Sequence, residues 1–300
     1  MKPNSLLRNI VAATLTVLPL SAQFLRHVDA RAAASGDGST WASAYRTLDE
    51  ALAEARGALV GYEVWVWMAS GEYSPEVGGG GLAAPHWELP GTVSVYGGFA
   101  GFETTLGERD IDANEVVLDG HLRSGSMRRT GALLTVDGGN PRLDGLTIRG
   151  CDRSNDGAAL VVRSGTPTLS RCNFVDNLSS GSGGAIAVLG DSLACLDCVF
   201  RGNSAEHQGG AVYGTSAARI EFDSCEFVLN IGGEDGGAIL AAGGAVLTSF
   251  GPDEVAGSGD EDLRLSPGSP CVDASSSVAG GELGDADCGG QPRGVDGNGT

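Results

Sequence analysis

Lysine is almost missing from this chain. Of 300 residues only Lys2 is a lysine, which excludes a Schiff-base lysine or a phosphate-loop lysine from everything beyond the extreme N-terminus. Net positive charge is missing as well. The formal net charge is −19, and such a chain is repelled by nucleic acid and by anionic membrane surfaces, so neither is an expected partner. After residue 20 no apolar run reaches the roughly 20 residues that a membrane-spanning helix needs. The one Cys-x-x-Cys, Cys195-Leu196-Asp197-Cys198, has no second pair to complete a zinc site and no strand-to-helix context for a redox site. No twelve-residue calcium loop is complete, because the terminal bidentate Glu is absent.

What is abundant is glycine. Its 49 residues lack the every-third-residue period of collagen and point to a turn-rich β protein. The length allows one large domain or two. The seven cysteines, at 151, 172, 195, 198, 225, 271 and 288, are an odd number, so at least one is unpaired within the chain.

Residues 1–30 have the form of a secretory signal. Lys2 and Arg8 make a basic start, Ile10–Leu20 is an apolar run, and Val28-Asp29-Ala30 places small residues where a signal peptidase cuts. The run is too short to span a bilayer. The expected location is therefore secreted, extracellular or at the cell surface, with no transmembrane segment after signal removal, and disulfides become possible there.

Thr47-Leu48-Asp49-Glu50 has capping-box form, and Leu48, Leu52, Ala55 and Leu59 recur at helical spacing after it. From Val64 the period changes to two. Val64-Trp65-Val66-Trp67, Val93-Ser94-Val95-Tyr96, Val116-Val117-Leu118 and Leu133-Leu134-Thr135-Val136 are strands closed by Gly and Asp turns. Val77–Pro85 is a glycine-rich excursion.

A repeat dominates the middle. Gly183-Gly184-Ala185-Ile186, Gly209-Gly210-Ala211-Val212 and Gly236-Gly237-Ala238-Ile239 alternate with phrases beginning Cys172-Asn173-Phe174, Cys198-Val199-Phe200 and Cys225-Glu226-Phe227. Both markers step by 26 and then 27 residues (184 to 210 to 237; 172 to 198 to 225), so they belong to one repeating unit. Aligned vertically from about residue 141, the columns are Leu146/Cys172/Cys198/Cys225, Ile148/Phe174/Phe200/Phe227, Leu160/Ile186/Val212/Ile239 and Asn177/Asn203/Asn230. Uniform columns are what stacked turns of a parallel coil produce, since each turn lies about 4.8 Å above the last and like side chains form ladders. The apolar columns are expected to face inward, Asn to sit at the bend, and the glycine pair to supply positive φ at a corner.

Gly-Gly-Ala-Ile/Val alternating with Phe-x-x-Asn resembles the repeat of chlamydial polymorphic outer-membrane proteins. More broadly the chain resembles bacterial right-handed parallel β-helix proteins of the pectin-lyase-like fold. The match is close over 141–240, and Glu63–Pro75, Val93–Phe99 and Ser266–Asp273 are similar to flanks of secreted members. The chain departs from the polymorphic proteins in having no C-terminal outer-membrane barrel. The resemblance implies an all-β, single-stranded right-handed parallel β-helix (solenoid) with a short N-terminal capping helix. The expected division is 1–30 signal peptide, 31–62 linker and capping helix, 63–250 parallel β-helix and 251–300 irregular C-terminal segment.

The fold it resembles includes polysaccharide lyases and hydrolases, which need clustered carboxylates on one face. Here Asp144, Asp197 and Asp223 fall at different repeat positions, and the other repeat acids lie near turns. Asp119-Gly120-His121 faintly resembles a lyase strand motif, with Gly120 between the pair. Arg219-Ile220-Glu221 resembles the Arg-Ile-Lys of polygalacturonases with an acid in place of the lysine. No catalytic residue is assigned. Asp285, Asp287, Asp296 and Asn298 offer oxygen ligands in glycine-rich loops and are the candidates for calcium, the one cofactor considered. Cys271 and Cys288 are the expected disulfide, tying down a coreless tail. Trp65, Trp67 and Trp87 are candidates for stacking on sugar rings. The expectation is an exported, non-catalytic surface, adhesion or recognition protein whose partner is a carbohydrate or another surface protein; the alternative is a polysaccharide lyase or glycoside hydrolase. Binding determinants are expected in the irregular loops at 77–90 and 121–130 or between the repeat columns.

Overall fold

Along a strand alternate side chains face opposite ways, so Val64 and Val66 must share one side and Trp65 and Trp67 the other. The computed structural model describes residues 23–57, 62–75, 86–121, 131–153, 155–234 and 237–242, together with the backbone of the strands Val246–Phe250 and Arg264–Leu265. In it the valines face the interior and are fully buried.

Four parallel sheets enclose that interior among the described residues. The longest has eight strands: Gln23–Val28, Glu63–Ala69, Val93–Phe99, Arg142–Asp144, Thr168–Ser170, Ser192–Leu196, Arg219–Asp223 and Val246–Phe250. The second has seven, running from Gly71–Tyr73 and Val116–Asp119 to Glu226–Val228 and Arg264–Leu265. The third has six, from Trp87–Leu89 and Leu134–Asp137 to Ile239–Ala241, and four two-residue strands starting at Asp152–Arg153 make the last. The chain visits the sheets in turn and each strand pairs in parallel with its equivalent one turn away. This is an all-β parallel β-solenoid with one short α-helix.

The inferred columns are the observed registers. Ile148, Phe174, Phe200 and Phe227 are direct partners, and Tyr73 and Leu118 extend the column backwards. Trp87, Leu134, Leu160, Ile186, Val212 and Ile239 form the column of the third sheet. The phenylalanine rings stack nearly coplanar, with centroids 5.0 Å apart for Phe174–Phe200 and 4.7 Å for Phe200–Phe227. Each buried ring stabilises by about 1.5–3 kcal/mol.

The bends work differently from the expectation for Asn. Left-handed backbone falls on the residue before each Asn, namely Asp176, Gly202 and Leu229, and on the residue before each stacked Cys, namely Arg171, Asp197 and Ser224. Asn177, Asn203 and Asn230 instead point inward and bond the neighbouring turn. Asn177 donates its backbone N–H to Asn203 Oδ1 at 3.2 Å, and Asn203 donates likewise to Asn230 Oδ1 at 3.0 Å. In the glycine pairs only the first member needs positive φ (Gly183 +70°, Gly209 +63°). The second is needed for close approach: a Cβ on Gly184 would lie 2.1 Å from the Gly210 carbonyl oxygen.

The helix α1, Leu48–Gly57, is where the capping box places it. Thr47 donates its N–H to Glu50 at 3.1 Å and accepts from the Glu50 N–H at 3.4 Å. Leu48, Ala51, Leu52 and Ala55 are buried against the N-terminal end of the solenoid, and Trp87 Nε1 donates to Asp49 at 2.9 Å. Leu59 lies outside the described residues. Trp87–Leu89, expected within an irregular loop, is a strand because Trp87 and Leu89 supply two more inward positions.

The N-terminal boundary also differs. Gln23–Val28 lies within the segment expected to be a signal ending at Ala30, yet it pairs along all six residues with Glu63–Ala69. Arg26 forms an ion pair with Glu54 of α1, and His27 is buried beside the Gly38 carbonyl. Cleavage after Ala30 would strip this strand and leave the edge of Glu63–Ala69 unpaired. Among the described residues the first strand of the solenoid is Gln23–Val28, and Lys2, Arg8 and Ile10–Leu20 lie outside the described residues.

Candidate functional site

Because the Phe, Cys, Asn and glycine columns are used in stacking and turning, sites must be sought where unlike residues from different turns converge. The first such place is on the outer face of the second sheet. Asp119 ends the strand Val116–Asp119, and Gly120 lies so close to the next turn that a Cβ there would meet Cys151 Sγ at 2.4 Å. Far from holding the pair apart, this tight turn folds His121 back onto Asp119. The His121 N–H donates to Asp119 Oδ1 at 3.1 Å, and its ring Nδ1 lies 2.6 Å from the same oxygen.

Glu72, one turn earlier, hydrogen-bonds to Asp119 and pairs with Arg149 at 3.2 Å. Burial alone would raise the Asp119 carboxyl, but the His121 amide and ring and the Glu72 contact outweigh it and hold it below the usual carboxylate value. Sequence reasoning missed Glu72 and Arg149, since nothing local marks residues 72, 119 and 149 as neighbours. Of this group Glu72 alone lines a cleft of about 550 Å³, together with Ser35, Arg46, Glu50, Tyr73 and Ser74. An imidazole oriented by a carboxylate, with a second carboxyl beside it, can move a proton.

The second convergence is Asp144, fully buried and held by three arginines. Arg109 and Arg142 reach it at 3.0 and 3.2 Å, and Arg171 grips both oxygens at 2.8 and 2.9 Å. Arg109 also lies over the Tyr96 ring. This group closes the loop 100–112 onto the long sheet, which is a structural use of a residue read as scattered. Arg219 and Glu221 simply pair with each other on the surface.

The tryptophans do not form a sugar platform. Trp67 stacks on Phe99 with centroids 4.6 Å apart in a small aromatic cluster outside the long sheet, to which Tyr96 also belongs, with Trp41 and Trp65 packed against it. Trp87 is buried in the main core. Trp65 is half-buried, against Tyr96. Cys151, Cys172, Cys195, Cys198 and Cys225 are buried and form no disulfide among the described residues. Among the described residues no group of three or more His, Cys, Asp or Glu is arranged to hold a metal ion, and no helix is long and apolar enough to cross a membrane. Asp285, Asp287, Asp296, Asn298, Cys271 and Cys288 lie outside the described residues, as does the loop 122–130.

Fold and columns together define the class: a parallel β-solenoid whose turns carry a Gly-Gly-Ala and Phe-x-x-Asn repeat. Within it, residues 197–215 match the family model of the Chlamydia polymorphic membrane protein (Chlamydia_PMP) repeat. That stretch holds Cys198, Phe200, Asn203 and Gly209–Gly210, the positions that build one turn. No curated protein and no solved structure matches the chain.

Proposed function

We propose that the chain is an exported, surface-located recognition protein in which the solenoid is a rigid scaffold and not a catalyst. The observation that carries this reading is the use of the repeat columns: their Phe, Asn, Cys and Gly side chains are consumed by the core and the corners. What faces outward varies from turn to turn, as in Arg142, Thr168, Ala194 and Glu221 at equivalent positions of the long sheet. Such a wall offers a different surface at each level, to a carbohydrate or another surface protein. Protease added to intact cells that make the chain tests the location. Loss of the chain without loss of a cytoplasmic marker is expected, and full protection refutes export.

The alternative, a polysaccharide lyase or hydrolase, is favoured by one observation, the Glu72–Asp119–His121 group, whose Glu72 lines a cleft. Purified protein incubated with pectate and alginate, with and without Ca²⁺, separates the two readings. New unsaturated ends absorbing in the ultraviolet and lost in Asp119→Asn, or new reducing ends lost in the same variant, would establish the enzyme. A calcium titration that leaves the melting temperature unmoved would remove the proposal of a site at Asp285, Asp287, Asp296 and Asn298.

A further inference from the structure

We propose that the buried thiol cluster of Cys172, Cys195, Cys198 and Cys225 is an oxidation site, and that its product is a disulfide joining Cys198 to the stacked cysteine of a neighbouring turn, Cys172 or Cys225. Asn173 pairs in register with Val199, and Val199 with Glu226, so the preceding cysteines stand one above another. Parallel neighbours about 4.8 Å apart fall within the Cα spacing of about 4.4–6.8 Å that a disulfide needs. The Cα spacing is therefore compatible with the bond, and the Cβ atoms must draw together by a few tenths of an ångström to close it.

The side chains are also aligned. Each stacked cysteine follows a left-handed residue, Arg171, Asp197 or Ser224. Each thiol donates to the carbonyl two residues earlier, at 3.3 Å for Cys172–Ser170, 3.4 Å for Cys198–Leu196 and 3.3 Å for Cys225–Asp223. Three side chains in one orientation bring their sulfurs into line along the stack. Cys195 joins from the strand Ser192–Leu196, and Cys198 has Cys172, Cys195 and Cys225 all within hydrogen-bonding reach.

Of the three pairings, the two between successive turns are favoured. Cys172 and Cys225 are placed alike, each also donating to a carbonyl of the preceding turn, Leu143 at 3.6 Å and Cys195 at 3.5 Å. Closing Cys195 onto Cys198 would bend a segment in which Leu196 is paired on both sides, with Ser170 and with Asp223. Either favoured link encloses one complete turn of the solenoid.

The oxidant is a disulfide, either a small molecule or a protein. One cysteine thiolate attacks it to give a mixed disulfide and release one thiol. The second cysteine thiolate displaces the other, so two protons and two electrons leave the pair as the oxidant becomes two thiols. Cys172, Cys195, Cys198 and Cys225 are all buried, which closes them to an oxidant once the turns have packed. Exchange therefore belongs to folding, before the cluster is sealed. In the cell it rests on the export reading, because only an oxidising compartment supplies the reagent.

The full chain is unfolded in urea with reductant, refolded with oxidised and reduced glutathione, alkylated, digested and mapped without reduction. The expected peptide joins Cys198 to Cys172 or to Cys225, with Cys195 alkylated. It disappears in Cys198→Ser and persists in Cys195→Ser, and the linked form unfolds at higher urea than the reduced one. A Cys195–Cys198 link, or four alkylated thiols in refolded protein, overturns the proposal. A link formed on refolding but missing from protein isolated from cells overturns the export reading and leaves the site standing.

Discussion

Asn203 offers the sharpest test of how the stack is held. It is fully buried, and its side chain makes four hydrogen bonds. Its Oδ1 accepts from the Asn177 N–H at 3.2 Å and from Asn177 Nδ2 at 2.9 Å, while its Nδ2 donates to the Phe174 carbonyl at 3.0 Å and to Asn230 Oδ1 at 2.9 Å. In Asn203→Ala two partners keep another bond: Asn177 Nδ2 to the Ile148 carbonyl, and Asn230 Oδ1 from the Asn203 N–H. The Asn177 N–H has no such replacement. An orphaned buried donor costs about 1–3 kcal/mol, and each of the three other bonds lost about 0.5–1.5 kcal/mol net, so the expected loss is about 2.5–7.5 kcal/mol. That is a large part of the roughly 5–15 kcal/mol available to a folded domain. Urea unfolding should show a lower midpoint with an unchanged slope, and exposed Arg163→Ala should stay within about 0.5 kcal/mol of the parent. If Asn203 served only as a bend residue, its loss would cost under about 1 kcal/mol, because left-handed backbone belongs to Gly202. A loss that small refutes the ladder.

Three further outcomes are expected. Asp144→Ala leaves the buried Arg109 charge without its carboxylate and should cost about 3–5 kcal/mol in thermal or urea unfolding, with part recovered when Arg109→Leu is added. Burial would raise the Glu103 carboxyl, but it accepts the N–H groups of Ala100, Phe102 and Gly101 and is held below its ordinary value. A depressed carboxylate stabilises above its unfolded pKa, and that contribution fades as pH falls through the folded one, so Glu103→Gln should flatten the loss of melting temperature below about pH 4.5. If the chain is exported and cut, the intact mass of the mature protein should retain Gln23, since the strand Gln23–Val28 is part of the sheet; a mass beginning at Arg31 would mean that the strand is dispensable.

What could be read from residues alone follows from how a solenoid encodes itself. One spacing of 26 to 27 residues sets the register of every repeat, so the inward columns emerge from counting, and Phe174, Phe200 and Phe227 stack where they were aligned. Before the repeat, turns are longer and irregular. There the strands Gln23–Val28 and Trp87–Leu89 carry no periodic marker, and a short apolar strand beside an apolar run reads as the end of an export signal. Register also hides the chemistry of the wall. Glu72, Asp119 and Arg149 belong to different turns, as do Arg109, Asp144 and Arg171, and their contacts depend on loop lengths that no local pattern reveals. Asp144 was read as one of several scattered acids, yet it gathers three arginines, because facing side chains in adjacent turns lie closer than their neighbours in sequence suggest. In a solenoid the residues that repeat describe the scaffold, and a site can be recognised only once unlike positions are laid side by side.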